Sequence, residues 1–239
     1  MSNRTQKRKK KGGIPSLSSQ NFDLKTIYPA NNSQEDVFDY YEDGDNVFLL
    51  GCAGTGKSFI TMYLSLKEIL DMRSPRTKLV IIRSTQPSKA QGFLPGDVKQ
   101  KAEVYEAPYK GICSELFHRD DAYEILKKKG IVDFQTTSYL RGTTMDDAII
   151  LVDEVQNLSQ QEWFTVLTRV GDNSRVIICG DVEQDDLTSE RYNEISGAAN
   201  LIRVLQRMEC VQFIDFGVED IVRSGFVKDL LIAKHELGV

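Results

Sequence analysis

Gly51-Cys52-Ala53-Gly54-Thr55-Gly56-Lys57-Ser58 follows the apolar run Val47-Phe48-Leu49-Leu50 and precedes Ile60, Tyr63, Leu64, Leu66 and Ile69 at helical spacing. The octapeptide has the pattern G-x-x-x-x-G-K-S, between a strand and a helix. Glycines at 51, 54 and 56 let backbone N–H groups close around a phosphate, with a helix amino terminus behind them. Lys57 is then the residue that reaches the β- and γ-phosphates of ATP, and Ser58 offers its hydroxyl to Mg²⁺. Cys52, Ala53 and Thr55 complete the cradle. A chance match would lack the strand before and the helix after, and both are here.

Such a loop needs an acidic strand elsewhere to finish a magnesium site. Ala148-Ile149-Ile150-Leu151-Val152 ends in Asp153-Glu154. In a Walker B role the first carboxylate holds the magnesium shell and the second polarises the attacking water. The pair suits hydrolysis better than transfer to a bound acceptor. Gly180-Asp181-Val182-Glu183-Gln184 repeats the arrangement one strand along. Gln184 is a candidate to touch the γ-phosphate or its water; Asp181 also reads as a strand-end cap. Gln34, upstream of the loop, is placed either to meet an adenine edge or to cap a helix start.

Between these anchors the chain alternates strand and helix. Leu79-Val80-Ile81-Ile82, Val132 to Thr136, Arg175 to Cys179 and Cys210 to Ile214 read as further strands. The run Leu79 to Ile82 is continuously apolar rather than alternating, as in a parallel sheet covered on both faces. Helices are expected from Ser33, from Lys57 to about Met72, over 99–116, 120–129, 160–169 and 196–208, and from Glu219 to Leu237. The expected fold is α/β, a three-layer αβα sandwich on a mostly parallel sheet, with ligand at the carboxyl ends of the strands.

At 239 residues, with 41% hydrophobic and 27% charged residues, the chain suits one soluble domain. No run approaches the ~20 apolar residues of a membrane span, and a cytoplasmic setting is expected (a host's cytoplasm, if the source is viral). The four cysteines form no C-x-x-C pair, and two histidines cannot complete a zinc site. The net charge of −5 is unevenly spread, because six of the first eleven residues are basic and none is acidic. The rest of the chain carries 24 basic and 35 acidic residues, a net of −11. Residues 1–33 are therefore expected to be a basic, disordered tail, and 34–239 the ATPase domain. The tail fits a polyanion or a solvated charge run equally well. An acidic body argues against one broad nucleic-acid face but leaves room for a narrow basic channel.

From Gln34 onward the chain resembles the PhoH family of ATPases, whose core is similar to the first motor domain of superfamily 1 helicases. Beyond the two motifs above, the resemblance rests on Gly92-Phe93-Leu94-Pro95-Gly96-Asp97, Tyr139-Leu140-Arg141-Gly142, Val152-Asp153-Glu154-Val155-Gln156-Asn157, Leu167-Thr168-Arg169-Val170-Gly171, Gly180 to Leu187 and Asp220-Ile221-Val222-Arg223. It implies a RecA-like fold, ATP hydrolysis with Mg²⁺, and action on RNA or single-stranded DNA. It makes Gln34 an adenine contact, Gln184 a coupling residue and Arg223 a finger toward a γ-phosphate. Arg83, Arg141 and Arg169 become candidates for nucleic-acid or nucleotide contacts. Thr143, Ala107 and Lys89 depart from the family's usual residues.

Two-domain helicases receive an arginine from their second domain. This chain has one motor domain, as in short versions from bacterial viruses, so a homo-oligomer is expected, a hexameric ring by resemblance, with an arginine acting between subunits. Two readings of function follow: a nucleic-acid-dependent ATPase, helicase-like in its core, or an ATP-dependent oligomeric switch or scaffold. A small-molecule kinase would need an acceptor site, and no motif suggests one.

Overall fold

The computed structural model describes residues 22–71, 73–84, 98–137, 140, 142, 144–181 and 197–237. Its elements run α1 (Asn32–Asp43), β1 (Asn46–Gly51), α2 (Lys57–Leu70), β2 (Lys78–Arg83), α3 (Val98–Phe117), α4 (Ala122–Lys128), β3 (Val132–Thr136), β4 (Ala148–Val152), α5 (Gln160–Leu167), β5 (Arg175–Gly180), α6 (Ala198–Leu205), β6 (Val211–Phe216) and α7 (Gly225–Leu237). The strands form one sheet in the order β3-β2-β4-β5-β1-β6, every pair parallel.

The pleat sorts each apolar run into two cores. Val47 and Leu49, Leu79 and Ile81, Ile149 and Leu151, Ile177 and Cys179 face the side covered by α1 to α4. Phe48, Val80 and Ile82, Ile150 and Val152, and Ile178 face the side covered by α5 and α6. Successive strand residues point to opposite faces, so a continuous apolar run is what a sheet buried on both sides demands. This three-layer αβα sandwich, with β5 between the phosphate-loop strand β1 and the acidic strand β4, is the RecA-like P-loop fold. The loop after β1, the acids after β4 and the end of β5 emerge at one edge.

Two expectations change. The terminal helix does not begin at Glu219: a 3-10 turn spans Val218–Asp220, and α7 starts at Gly225. Asp220 is the reason, since its buried carboxylate accepts the Gly217 N–H (3.0 Å) and the Ser33 hydroxyl (2.9 Å). Val222 N–H is then given to the carbonyl of Gly54 (3.0 Å), so the chain runs across the phosphate loop before it can turn helical. Residues 22–29 are irregular, as expected, yet packed on the body. Phe22 is buried with its ring 4.4 Å from that of Phe117, and Lys25 N–H donates to Leu116 O. Most of the basic run's tail, residues 1–21, lies outside the described residues.

Candidate active site

Gly51 ends β1 at φ 112°, and a Cβ there would sit 2.0 Å from the carbonyl oxygen of Phe216 in β6. That oxygen also accepts the Cys52 N–H (3.0 Å). Only glycine lets the loop leave the sheet this close to its neighbour. Gly56, also left-handed, precedes α2 with no side chain capping it, so the first N–H groups of the helix stay open toward the loop. Thr55 is fully buried and its hydroxyl donates to Cys52 O (3.0 Å). Lys57 Nζ lies inside the loop, donating to the carbonyls of Gly51 and Cys52, both at 2.7 Å.

Ser58, at the start of α2, meets Asp153 at the end of β4. Its hydroxyl is 3.1 and 3.0 Å from the two carboxylate oxygens. The buried Tyr109 hydroxyl of α3 donates to the same carboxylate at 2.8 Å. Burial first, and the Asp153 charge second, push the Tyr109 pKa well above that of an ordinary phenol, so Tyr109 keeps the proton it donates.

Glu154 follows in the left-handed region at φ 55°, a conformation that costs a residue with a side chain about 1–3 kcal/mol and is held only by its surroundings. Its carboxylate accepts Gln156 Nε2 at 2.6 Å and lies 3.8 Å from the Arg83 guanidinium. Gln156 cannot turn over, because its Oε1 accepts the Asp181 N–H at the end of β5 (3.0 Å). Burial, then the charge of Asp153, raise the Glu154 pKa; Arg83, Gln156 and Lys57 oppose them. Arg83 itself is held above its ordinary value: burial works against its charge, and Tyr109, Glu154 and Asp153 outweigh that.

The remaining expected residues fall in different places. Gln34 is buried, its Nε2 donating to Thr55 O and its Oε1 accepting Ala30 N–H, both at 2.9 Å. It braces the loop from outside. Arg223 is solvent-exposed, with its stem against Gly54 of the same chain. Arg83 points at Glu154. Arg169 lies at the opposite edge of the sheet, where its carbonyl accepts Met145 N–H ahead of β4. Gln184 and Arg141 lie outside the described residues. Sequence reasoning missed Tyr109 and the role of Gln156. Gln156 stood in a quoted motif, whereas nothing local to Tyr109 links it to a carboxylate 44 residues later.

The donors suit a nucleotide with a divalent cation. The glycines form a cradle that side chains would fill, a helix start faces it, and a hydroxyl and a carboxylate, both oxygen ligands, meet beside it. Among the described residues no group of three or more His, Cys, Asp and Glu side chains could hold a metal by itself.

The chain is similar to known proteins over most of its length. The PhoH-like protein of Bacillus subtilis (strain 168) is 30% identical over 211 residues, covering 87% of this chain and 64% of the relative. Protein PhoH of Escherichia coli (strain K12) is 29% identical over 226 residues, covering 93% and 62%. The chain thus spans less than two thirds of the length of these curated relatives. Among solved structures, the large terminase of a thermophilic bacteriophage in complex with ADP aligns at a TM-score of 0.44 and 12% identity, over 83% of this chain and 48% of that one. The family model described as PhoH-like protein matches residues 26–234, so the chain belongs to the PhoH family.

Proposed function

We propose that the chain hydrolyses ATP with Mg²⁺ and does so as a nucleic-acid-dependent ATPase, acting with RNA or single-stranded DNA. The observation that carries the reading is the 3.0 Å contact between Ser58 and Asp153, which joins the phosphate loop to the acidic strand, with Glu154 next in the chain. Mg²⁺, when bound, would neutralise charge on the β- and γ-phosphates. The backbone from Gly51 to Gly56 would cradle the phosphates, Ser58 and Asp153 would hold the metal shell, and Lys57 would supply positive charge. Glu154, oriented by Gln156, accepts a proton from the attacking water. Gln34 holds the loop from the adenine side, Gln184 is the coupling residue, and Arg223 is the candidate to reach a γ-phosphate.

Lys57→Ala should abolish ATP turnover, and Glu154→Gln should lower it about 10²–10⁴-fold while ATP still binds. Single-stranded RNA or DNA should raise the wild-type rate at low salt. An unchanged rate in Glu154→Gln would end its assignment as the base, absence of ATP turnover in the wild type would end the hydrolytic reading, and an unstimulated rate would end the nucleic-acid part.

A second reading, an ATP-dependent homo-oligomer, is favoured by α7. This helix buries no residue, exposes Phe226, Leu230 and Leu237, and brings Leu231 against Gly54. An apolar helix touching the phosphate loop suits a subunit boundary beside the nucleotide, a hexameric ring by the family resemblance. Mass in solution, with and without ATP, tests this; a monomer in both conditions rejects it.

A further inference from the structure

Helices α5 and α6 leave a groove of about 530 Å³ between them, lined by Gln160, Trp163, Asn200, Arg203, Val204 and Arg207. Outside the basic tail the chain is strongly acidic, and a paired cationic groove on such a body stands out. Arg203 and Arg207 lie one helical turn apart on the exposed face of α6 and its last turn and have no carboxylate partner among the described residues. The floor is aromatic: Trp163 is buried, with its ring edge-on to Phe164 at 6.0 Å. Phe164 stands beside the groove rather than in its lining, next to Trp163 in the chain, and is 60% exposed. On the rim, Asn200 Nδ2 donates to Gln160 Oε1 (3.1 Å), which leaves both amides with further donor and acceptor capacity.

We infer that this groove binds single-stranded nucleic acid, Arg203 and Arg207 holding successive phosphates and Phe164 offering its face to a base. Cationic side chains that track a backbone, beside an open aromatic ring, are the combination that single strands use, because every base has a face to stack. An acidic peptide would use the arginines but gain little from the exposed ring. This site differs from the arginines that the family resemblance singled out. Of those, Arg83 faces Glu154 and Arg169 lies past the end of α5, at the edge opposite the active site.

The groove is also wired to the catalytic acid. The 3-10 turn Val155–Asn157 carries Gln156, the partner of Glu154. Leu158, just after that turn, accepts the Gly197 N–H that leads into α6 (3.2 Å). Both walls therefore start from the segment that orients Glu154. A strand that draws α5 and α6 together acts on the water-activating carboxylate through one residue's backbone. The inference rests on the nucleic-acid-dependent reading above and gives that dependence a place.

Trp163 is the only tryptophan of the chain, so its fluorescence reports the groove directly. Single-stranded RNA and DNA oligonucleotides should quench it at low salt. Arg203→Ala/Arg207→Ala should weaken oligonucleotide binding about tenfold and reduce the slope of log affinity against log salt by ~1.4, two phosphates at ~0.7 each. The double variant should keep its basal ATPase rate and lose the stimulation. If it binds and is stimulated like the wild type, the groove is wrong while the ATPase reading stands. If the wild type binds with quenching but is never stimulated, the groove stands and the nucleic-acid-dependent reading falls. Polyglutamate quenching as strongly as the oligonucleotides at equal charge would overturn the assignment in favour of an acidic protein partner.

Discussion

Asp153 is held from two directions, by Ser58 of the phosphate loop and by Tyr109 of α3. A buried phenol that donates to a carboxylate fixes the rotamer of that carboxylate and shares its charge. Tyr109→Phe removes a hydrogen bond to a charged group, a change of about 1.5–3 kcal/mol. The expected result is an increase of about tenfold in the Mg²⁺ concentration at half-maximal ATPase rate, with kcat at saturating Mg²⁺ little changed; a Mg²⁺ titration checks it. Lys57, Ser58, Asp153 and Glu154 could be singled out in the sequence because a glycine loop and an apolar strand flank them. Tyr109 and Gln156 were not, since their partners are brought to them by packing. Gln34 illustrates the same limit: a lone glutamine near a helix start says nothing until its amide is seen on Thr55.

At the scale of elements, the boundaries of β1, β2, β4 and β5 were readable because both faces of the sheet are covered there, so these strands carry apolar runs. The carboxyl-terminal helix was misplaced for a complementary reason. Apolar residues from Ile221 to Leu231 look periodic, but Asp220 and the carbonyl of Gly54 take hold of the backbone first. Local propensity yields when distant groups compete for the same N–H. The junction of β1 with the phosphate loop is a close approach between elements, with no room for a side chain at Gly51. In Gly51→Ala, the new methyl would meet Phe216 O in a left-handed backbone, so β1 and β6 must part at that end. The expected cost is on the order of 2 kcal/mol or more, read as a lower midpoint in denaturant unfolding, together with weakened ATP binding. A smaller effect on stability would mean that the loop relaxes without the sheet.

Across the whole molecule, the edge of the sheet opposite the active site is tied by a half-buried polar cluster. Glu68 of α2 accepts the Tyr41 hydroxyl from α1 (2.7 Å) and Arg76 from the loop before β2 (2.7 Å), and lies 3.3 Å from Arg175 of β5. Arg175 stacks on the Tyr41 ring, 4.1 Å from its centroid, and donates to the Tyr41 carbonyl. Burial alone would raise the pKa of Glu68, but Tyr41, Arg76 and Arg175 together hold it below its ordinary value. A depressed carboxylate contributes stability above its unfolded pKa, about 4.3, and loses it as pH falls through the lower folded value. Unfolding midpoints of the wild type should therefore decline as pH drops below about 4.3. Glu68→Gln should be less stable near neutrality and show a shallower decline. Parallel pH curves for the two proteins would show that the cluster carries no such linkage.

The sequence by itself determined the class of fold, the phosphate loop and the acid pair, because these depend on residues adjacent in the chain: alternation of strand and helix, glycines at a turn, carboxylates at a strand end. Tertiary structure alone decided which distant side chains serve them. Strand order set β5 between β1 and β4; α3 brought Tyr109 to Asp153; and the turn at Asp220 laid Arg223 along the loop. Those choices are made by packing and by competition for buried hydrogen bonds between residues far apart in sequence, and no local pattern records them.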